Sequence, residues 1–174
     1  INSPQNGSFI NINSVRFNIT LDENGSAWYS LNNGVANITM SSIDNRNFNY
    51  TNNSIADGQY SVRFYANDTN GNVNNTVVRV FTIDSIKPLV NILILQNISY
   101  NSIQTQLNYS VFDVNLQACW YSLDNGQMNN SVICGQNITG LNSGQGSSIW
   151  RIYANDSAGN MNNTAITFFV DSIV

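Results

Sequence analysis

Across residues 60–66 every second side chain is apolar: Tyr60, Val62, Phe64 and Ala66 alternate with Ser61, Arg63 and Tyr65. Ser148, Trp150, Ile152 and Ala154 alternate with Ile149, Arg151 and Tyr153 in the same rhythm. Successive side chains of an extended chain point to opposite faces, so each segment reads as a strand with one face on a core. Residues 77–83 and 89–95 are β-branched and apolar runs closed off by Asn, Asp and Gly, and they read as further strands. No segment carries a sustained helical stripe or a capping box leading into one. Short strands separated by turn residues predict an all-β chain folded as two-sheet sandwiches.

The pattern occurs twice. Tyr65-Ala-Asn-Asp-Thr-Asn-Gly-Asn-Val-Asn-Asn-Thr76 returns as Tyr153-Ala-Asn-Asp-Ser-Ala-Gly-Asn-Met-Asn-Asn-Thr164, 88 residues later. Trp28-Tyr-Ser-Leu-Asn-Asn-Gly34 matches Trp120-Tyr-Ser-Leu-Asp-Asn-Gly126 at an offset of 92. Phe17-Asn-Ile-Thr-Leu21 matches Leu107-Asn-Tyr-Ser-Val111 at 90. Phe81-Thr-Ile-Asp-Ser-Ile86 matches Phe168-Phe-Val-Asp-Ser-Ile173 at 87. The offset drifts only between matched blocks, where loops are expected, and its length suits whole small domains rather than solenoid repeats. Residues 1–87 and 88–174 are therefore assigned as tandem β-sandwich repeats. The link Asp84-Ser-Ile-Lys-Pro88 ends in a proline whose fixed φ favours a stiff, extended joint, so two sandwiches end to end are expected to form a rod. Asp171-Ser-Ile173 repeats the start of that link, which suggests a longer array or a subunit whose ends engage neighbours.

The Asn-Asp-x-x-Gly-Asn segments read as turns. Asp68 or Asp156 opens a type I turn, and Gly71 or Gly159 supplies the positive φ of a bulged hairpin. A calcium loop built on Asp68, Asn70, Asn72 and backbone carbonyls is the weaker alternative, because the acidic count and bidentate Glu of an EF-hand loop are missing. These blocks, with Ser3-Pro-Gln-Asn-Gly7 before the first strand and the closing Val170-Asp-Ser-Ile173, resemble the tandem immunoglobulin-like repeats of archaeal and bacterial cell-surface proteins. The resemblance covers essentially both copies. It implies stalks, adhesins, surface layers or appendages, and it brings no catalytic residues with it.

Cys119 and Cys134 are the only cysteines, and an even count in a chain of extracellular character suggests a disulfide. The first copy has Ala27 where the second has Cys119, so the bridge belongs to the second copy alone. It would close a loop of about 15 residues, worth roughly 3 kcal/mol in the chain-entropy view.

Composition then removes most chemistry. The chain has no His, so it cannot supply a Ser-His-Asp triad, a His-based metal site or a Cys-His dyad. Asp22 and Glu23 are adjacent, and adjacent strand residues face apart. No phosphate-cradling glycine loop is present. A net charge of −4 with six scattered cations disfavours nucleic acid and anionic membranes, and no apolar run is long enough for membrane insertion as a helix. No catalytic residue, metal ligand or cofactor is assigned, and no enzyme is expected.

Charged residues are only 9% of the chain, while Asn fills 33 of 174 positions. Many of these Asn alternate with apolar residues, as Asn18 does between Phe17 and Ile19, and are expected to keep the outer sheet face wet. Sequons of the form N-x-Ser/Thr occur at Asn6, Asn18, Asn24, Asn37, Asn49, Asn52, Asn67, Asn74, Asn97, Asn108, Asn129, Asn137, Asn155 and Asn162. Random placement of this composition gives about six, so N-glycosylation at several of these sites is expected. Glycans would hydrate a weakly charged surface and block edge-to-edge strand pairing.

Two functions fit. The first is a glycosylated structural rod in an extracellular filament, stalk or surface layer, whose partners are copies of itself or neighbouring repeats. The second is an adhesin or carbohydrate-binding accessory module of a larger surface protein, with Tyr65, Tyr153, Tyr29 or Tyr121 as stacking surfaces. Trp28 and Trp120 are expected in the cores, where sandwiches commonly bury an aromatic on this strand.

Overall fold

Val15–Thr20 alternates buried with more exposed positions along its whole length, placing Val15, Phe17 and Ile19 in a core. This is the strand rhythm expected from sequence, and it recurs through the molecule. The computed structural model describes residues 1–173 and separates into two units, Ile1–Ser85 and Ile86–Val174. The repeat pattern of the sequence places the boundary after Lys87. Among the described residues no helix forms, and so none is long and apolar enough to cross a membrane.

Unit 1 contains β1 (Ser8–Ile10), β2 (Val15–Thr20), β3 (Gly25–Ser30), β4 (Ile38–Thr39), β5 (Ser41–Ser42), β6 (Asn47–Asn52), β7 (Gly58–Asp68), β8 (Val73–Asn74) and β9 (Val78–Ile83). One sheet runs β1-β9-β7-β3-β4, with β8 also on β7, and the facing sheet runs β2-β6-β5. Strand β1 joins β9 in parallel and the other pairs are antiparallel. Between the sheets lie Phe17, Tyr29, Phe64 and Phe81, with Phe17 stacked on Tyr29 at a centroid distance of 4.1 Å.

Unit 2 contains β10 (Leu89–Ile92), β11 (Ser99–Tyr100), β12 (Gln106–Leu107), β13 (Tyr109–Phe112), β14 (Leu116–Ser122), β15 (Asn130–Val132), β16 (Ile138–Thr139), β17 (Gly146–Asp156) and β18 (Met161–Val170). The larger sheet runs β11-β18-β17-β14-β15, again with a parallel first pair, and β10-β13 and β12-β16 form smaller ladders. Its core is centred on Trp150, Phe168, Leu107, Ile152 and Tyr109. The long apolar run at 89–95 forms a strand only through Ile92, after which Leu93 and Ile94 are exposed and Leu95 turns inward.

The disulfide is present. Cys119 on β14 bonds Cys134 just beyond β15, with the Cα atoms 5.2 Å apart. Tyr109 anchors the same loop, its hydroxyl donating to the Ile133 carbonyl at 3.1 Å and accepting from the Gly135 N–H at 3.1 Å. In unit 1 the equivalent Ala27 is buried without a bridge, and the Met40 N–H bonds its carbonyl at 2.9 Å.

One core group has a pH signature. Tyr29 is 0% exposed and its hydroxyl has no hydrogen-bond partner. Burial, and secondarily Tyr50, pushes its pKa up to about 12 from 10.0. Below pH 10 the phenol is neutral in both states, so its contribution to stability is intact. As pH rises from 10 through 12 only the unfolded chain ionises, and unit 1 loses about 2 kcal/mol. Denaturant titrations between pH 9 and 11.5 should show this fall in wild type and lose it in Tyr29→Phe. At pH 7 the same variant should be neutral or slightly stabilising, since it removes an unpaired buried hydroxyl. A clear destabilisation at pH 7 would mean the hydroxyl is paired.

Candidate functional surface

The duplicated blocks assemble into one surface motif, present once in each unit. Its base is the turn after β3 and after β14. Ser30 Oγ accepts from the Gly34 N–H at 2.8 Å and donates to Asn32 Oδ1 at 2.8 Å, while Asn32 Oδ1 accepts from the Ala36 N–H at 2.8 Å. In unit 2 Ser122 Oγ accepts from the Gly126 N–H at 2.7 Å, and Asp124 Oδ1 accepts from the Met128 N–H at 2.9 Å. The Met128 N–H and then the Ser122 hydroxyl hold the Asp124 carboxyl below the usual carboxylate range. Both serines are 0% exposed, which is tolerable only because each hydroxyl is paired.

An arginine clasps each turn. Arg63 Nε donates to Asn33 Oδ1 at 3.1 Å and Nη1 to the Asn75 carbonyl at 2.8 Å. Arg151 Nε donates to Asn125 Oδ1 at 2.7 Å and Nη1 to Asn163 Oδ1 at 2.9 Å. Two of the few cations are thus committed to fixing loops. Gly34 and Gly126 take φ of +92° and +99°, and a Cβ on Gly126 would sit 2.8 Å from the Tyr153 hydroxyl. Gly126→Ala should therefore cost about 2–3 kcal/mol, combining left-handed strain with the clash. Gly140→Ala, at φ +73° with nothing near its Cβ, should cost only the backbone part, about 1 kcal/mol. Thermal midpoints of unit 2 in the two variants test the difference.

Beside each clasp lies an aromatic pair. Trp28 pairs across strands with Tyr65, and Trp120 with Tyr153. Their rings are nearly parallel, 6° and 7° apart, with centroids 5.7 and 5.5 Å apart. Trp28 and Trp120 are half-buried on the outer sheet face, which corrects the expectation that they fill the cores. The reason is parity. Ala27 and Tyr29 face inward on β3, and Cys119 faces inward on β14, so the Trp between or beside them must face outward. The core aromatics are instead Tyr29, Phe17, Phe64 and Phe81 in unit 1, with Trp150 and Phe168 in unit 2. Tyr29 is therefore no stacking surface, Tyr121 is half-buried against the core, and Tyr65 and Tyr153 are half-exposed.

The Asn-Asp-x-x-Gly-Asn segments form turns in which the aspartate closes its own loop. Asp68 Oδ1 accepts from the Asn70 and Asn72 N–H groups at 2.8 Å each, and Oδ2 from the Asn72 amide at 2.6 Å. Those bonds, the Asn72 amide first, lower the Asp68 pKa. Asp156 makes the equivalent set with Ala158 and Asn160 and is 0% exposed. Gly71 and Gly159 adopt φ of +88° and +86°. The same turn in unit 2 brings the Asp113 and Asp156 carboxylates within 4.8 Å of each other. No sequence motif marks Asp113. Asp22 and Glu23 are exposed and line a shallow groove of about 310 Å³ with Asp68 and Asn72.

Of the fourteen sequon asparagines, Asn6, Asn24, Asn37, Asn49, Asn74, Asn97, Asn129 and Asn137 are exposed. Asn18, Asn52, Asn67, Asn108, Asn155 and Asn162 are half-buried. Asn18 is not the fully wet mid-strand position expected of it, because residues 2 and 3 lie along β2: the Asn2 and Ser3 N–H groups bond its carbonyl at 2.8 and 3.1 Å, and the Asn2 amide bonds its Oδ1 at 2.6 Å. The Asn162 amide donates to the Pro88 carbonyl at 2.9 Å.

No family model and no curated protein matches this chain. Solved structures do. Fibronectin(III)-like modules of Clostridium thermocellum CbhA superpose with a TM-score of 0.56 at 12% identity, over 98% of this chain and 93% of that one. Extracellular domains 3–5 of Drosophila OTK give a TM-score of 0.51 at 10% identity, over 98% of this chain and 61% of theirs. The fold is a tandem pair of fibronectin III/immunoglobulin-like sandwiches. At these identities the likeness shows the fold alone.

Proposed function

We propose that this chain is a non-enzymatic structural segment of an extracellular, N-glycosylated cell-surface filament, stalk or surface-layer protein, in which tandem sandwiches act as mechanical spacers. The observation that carries the reading is how the distinctive polar residues are used. Arg63, Arg151, Asp68, Asp156, Ser30 and Ser122 each hold a turn of their own unit. These hydrogen bonds commit each group to the fold of its own unit. The intramolecular disulfide supports an oxidising, extracellular setting. Electron microscopy and intact-mass measurement on native material test the proposal. Polymers of repeating two-domain units with excess glycan mass are expected, and an unglycosylated monomer would overturn it.

A second reading is favoured by one observation. The outward Trp28–Tyr65 and Trp120–Tyr153 pairs offer flat aromatic surface of the kind that stacks on sugars, which fits an adhesin or carbohydrate-binding accessory module. Saturable binding to a glycan array, lost in Trp28→Ala/Trp120→Ala, would establish it.

A further inference from the structure

We infer that each outward Trp–Tyr pair is the seat of the chain's own glycan: the first sugar on Asn67 lies over Trp28–Tyr65, and that on Asn155 over Trp120–Tyr153. The inference rests on the glycosylation reading above and narrows it to two sites with a defined bound geometry.

Register carries the argument. On β7, Tyr65 and Asn67 are two residues apart and share the outer face, and on β17 the same holds for Tyr153 and Asn155. Two strand residues span roughly 7 Å, within reach of a sugar ring attached directly to Nδ2. Trp28 stands opposite Tyr65 and Ser26 opposite Asn67; Trp120 stands opposite Tyr153 and Ala118 opposite Asn155. On the strand that carries the Trp, the residue facing the asparagine is small in both units, so the ground on that side of each aromatic pair is open, while Val73 and Met161 stand on the other side. Asn67 Oδ1 and Asn155 Oδ1 are enclosed without hydrogen-bond partners, which leaves the nitrogen as the edge of each amide available for attachment. The Asn155 amide donates at 3.1 Å only to the exposed Gln117 side chain, which can swing away. Asparagine is a poor strand former, yet it recurs here at the same place in both repeats.

Attachment joins Nδ2 to the anomeric carbon of a sugar delivered on a polyprenyl diphosphate. The C1–O bond breaks as the N–C bond forms, the diphosphate leaves with the bonding electrons, and the amide releases one proton. The ring then sets its C–H face on the aromatic surface, covering apolar area that the bare protein leaves wet.

The test uses the full chain secreted from a eukaryotic host and trimmed enzymatically to a single N-acetylglucosamine per site. Mass spectrometry reads occupancy, and NMR reads the sugar protons. The expected result is occupied Asn67 and Asn155 whose sugar resonances are shifted by the rings, the shifts vanishing at Asn67 in Trp28→Thr/Tyr65→Thr while occupancy persists. Removing the sugar with Asn67→Gln should lower the thermal midpoint of unit 1 by several degrees in the wild-type background and leave it unchanged in the aromatic-free one. Occupied sites with unshifted sugars and no such coupling would overturn the inference and leave the glycosylation reading standing. Occupancy at other sequons but not these two would do the same. Material with every sequon empty would overturn both.

Discussion

Trp150→Ala should destabilise unit 2 by about 3–5 kcal/mol, while Trp120→Ala, thirty residues earlier, should cost about 1 kcal/mol or less. Trp150 is 0% exposed and meets Phe168 edge-to-face at 5.2 Å in the middle of the core. Its removal leaves a large cavity that strands β14, β17 and β18 cannot collapse into without breaking ladder hydrogen bonds, so both the transfer and the cavity contributions are lost. Trp120 is half-buried on the outer face with Tyr153 alone stacked on it, and water fills the space it vacates. Hydrogen exchange read by mass spectrometry separates the units peptide by peptide and reports each free energy directly. Comparable losses in the two variants would mean that the outer aromatic pair is structurally essential rather than a surface platform.

That contrast marks where the sequence was legible. Strict alternation on β7 and β17 identified Val62, Phe64, Trp150 and Ile152 as inward-facing, because one face of each strand is buried and the period is two. The expectation of a core Trp on β3 and β14 hides a stronger signal beside Trp120. Cys119 and Trp120 are neighbours, so a disulfide reaching into the core excludes the Trp from it. The aspartate-closed turns were readable because an Asx carboxylate and the amides it captures lie within four residues of each other. The Arg63–Asn33 and Arg151–Asn125 clasps were not, since they join residues 30 and 26 positions apart and exist only once the strand register is fixed. The half-burial of Asn18 was likewise invisible, because it depends on where the N-terminal residues lie.

Reducing the disulfide should lower the stability of unit 2 by about 3 kcal/mol and leave unit 1 unchanged. The bridge closes a 15-residue separation between Cys119 and Cys134, and its loss restores that loop's freedom to the unfolded chain while the folded ladder Cys119↔Val132 remains. For a domain of this size the shift amounts to roughly 15 °C in thermal midpoint. Unit 1 is the internal control, since Ala27 stands where Cys119 does and no cysteine lies within it. Tyr109 ties the same loop through Ile133 and Gly135, so the two devices act on one segment and should not add. Cys119→Ala/Cys134→Ala should cost more in a Tyr109→Phe background than alone, because the hydroxyl is then no longer present to hold the opened loop. Exchange protection in peptides spanning 130–136 reads the loop, and peptides from β17 read the sheet. Loss confined to the loop with an unchanged β17 would show that the bridge orders only its own segment, and equal losses in both units would show that reduction acts elsewhere.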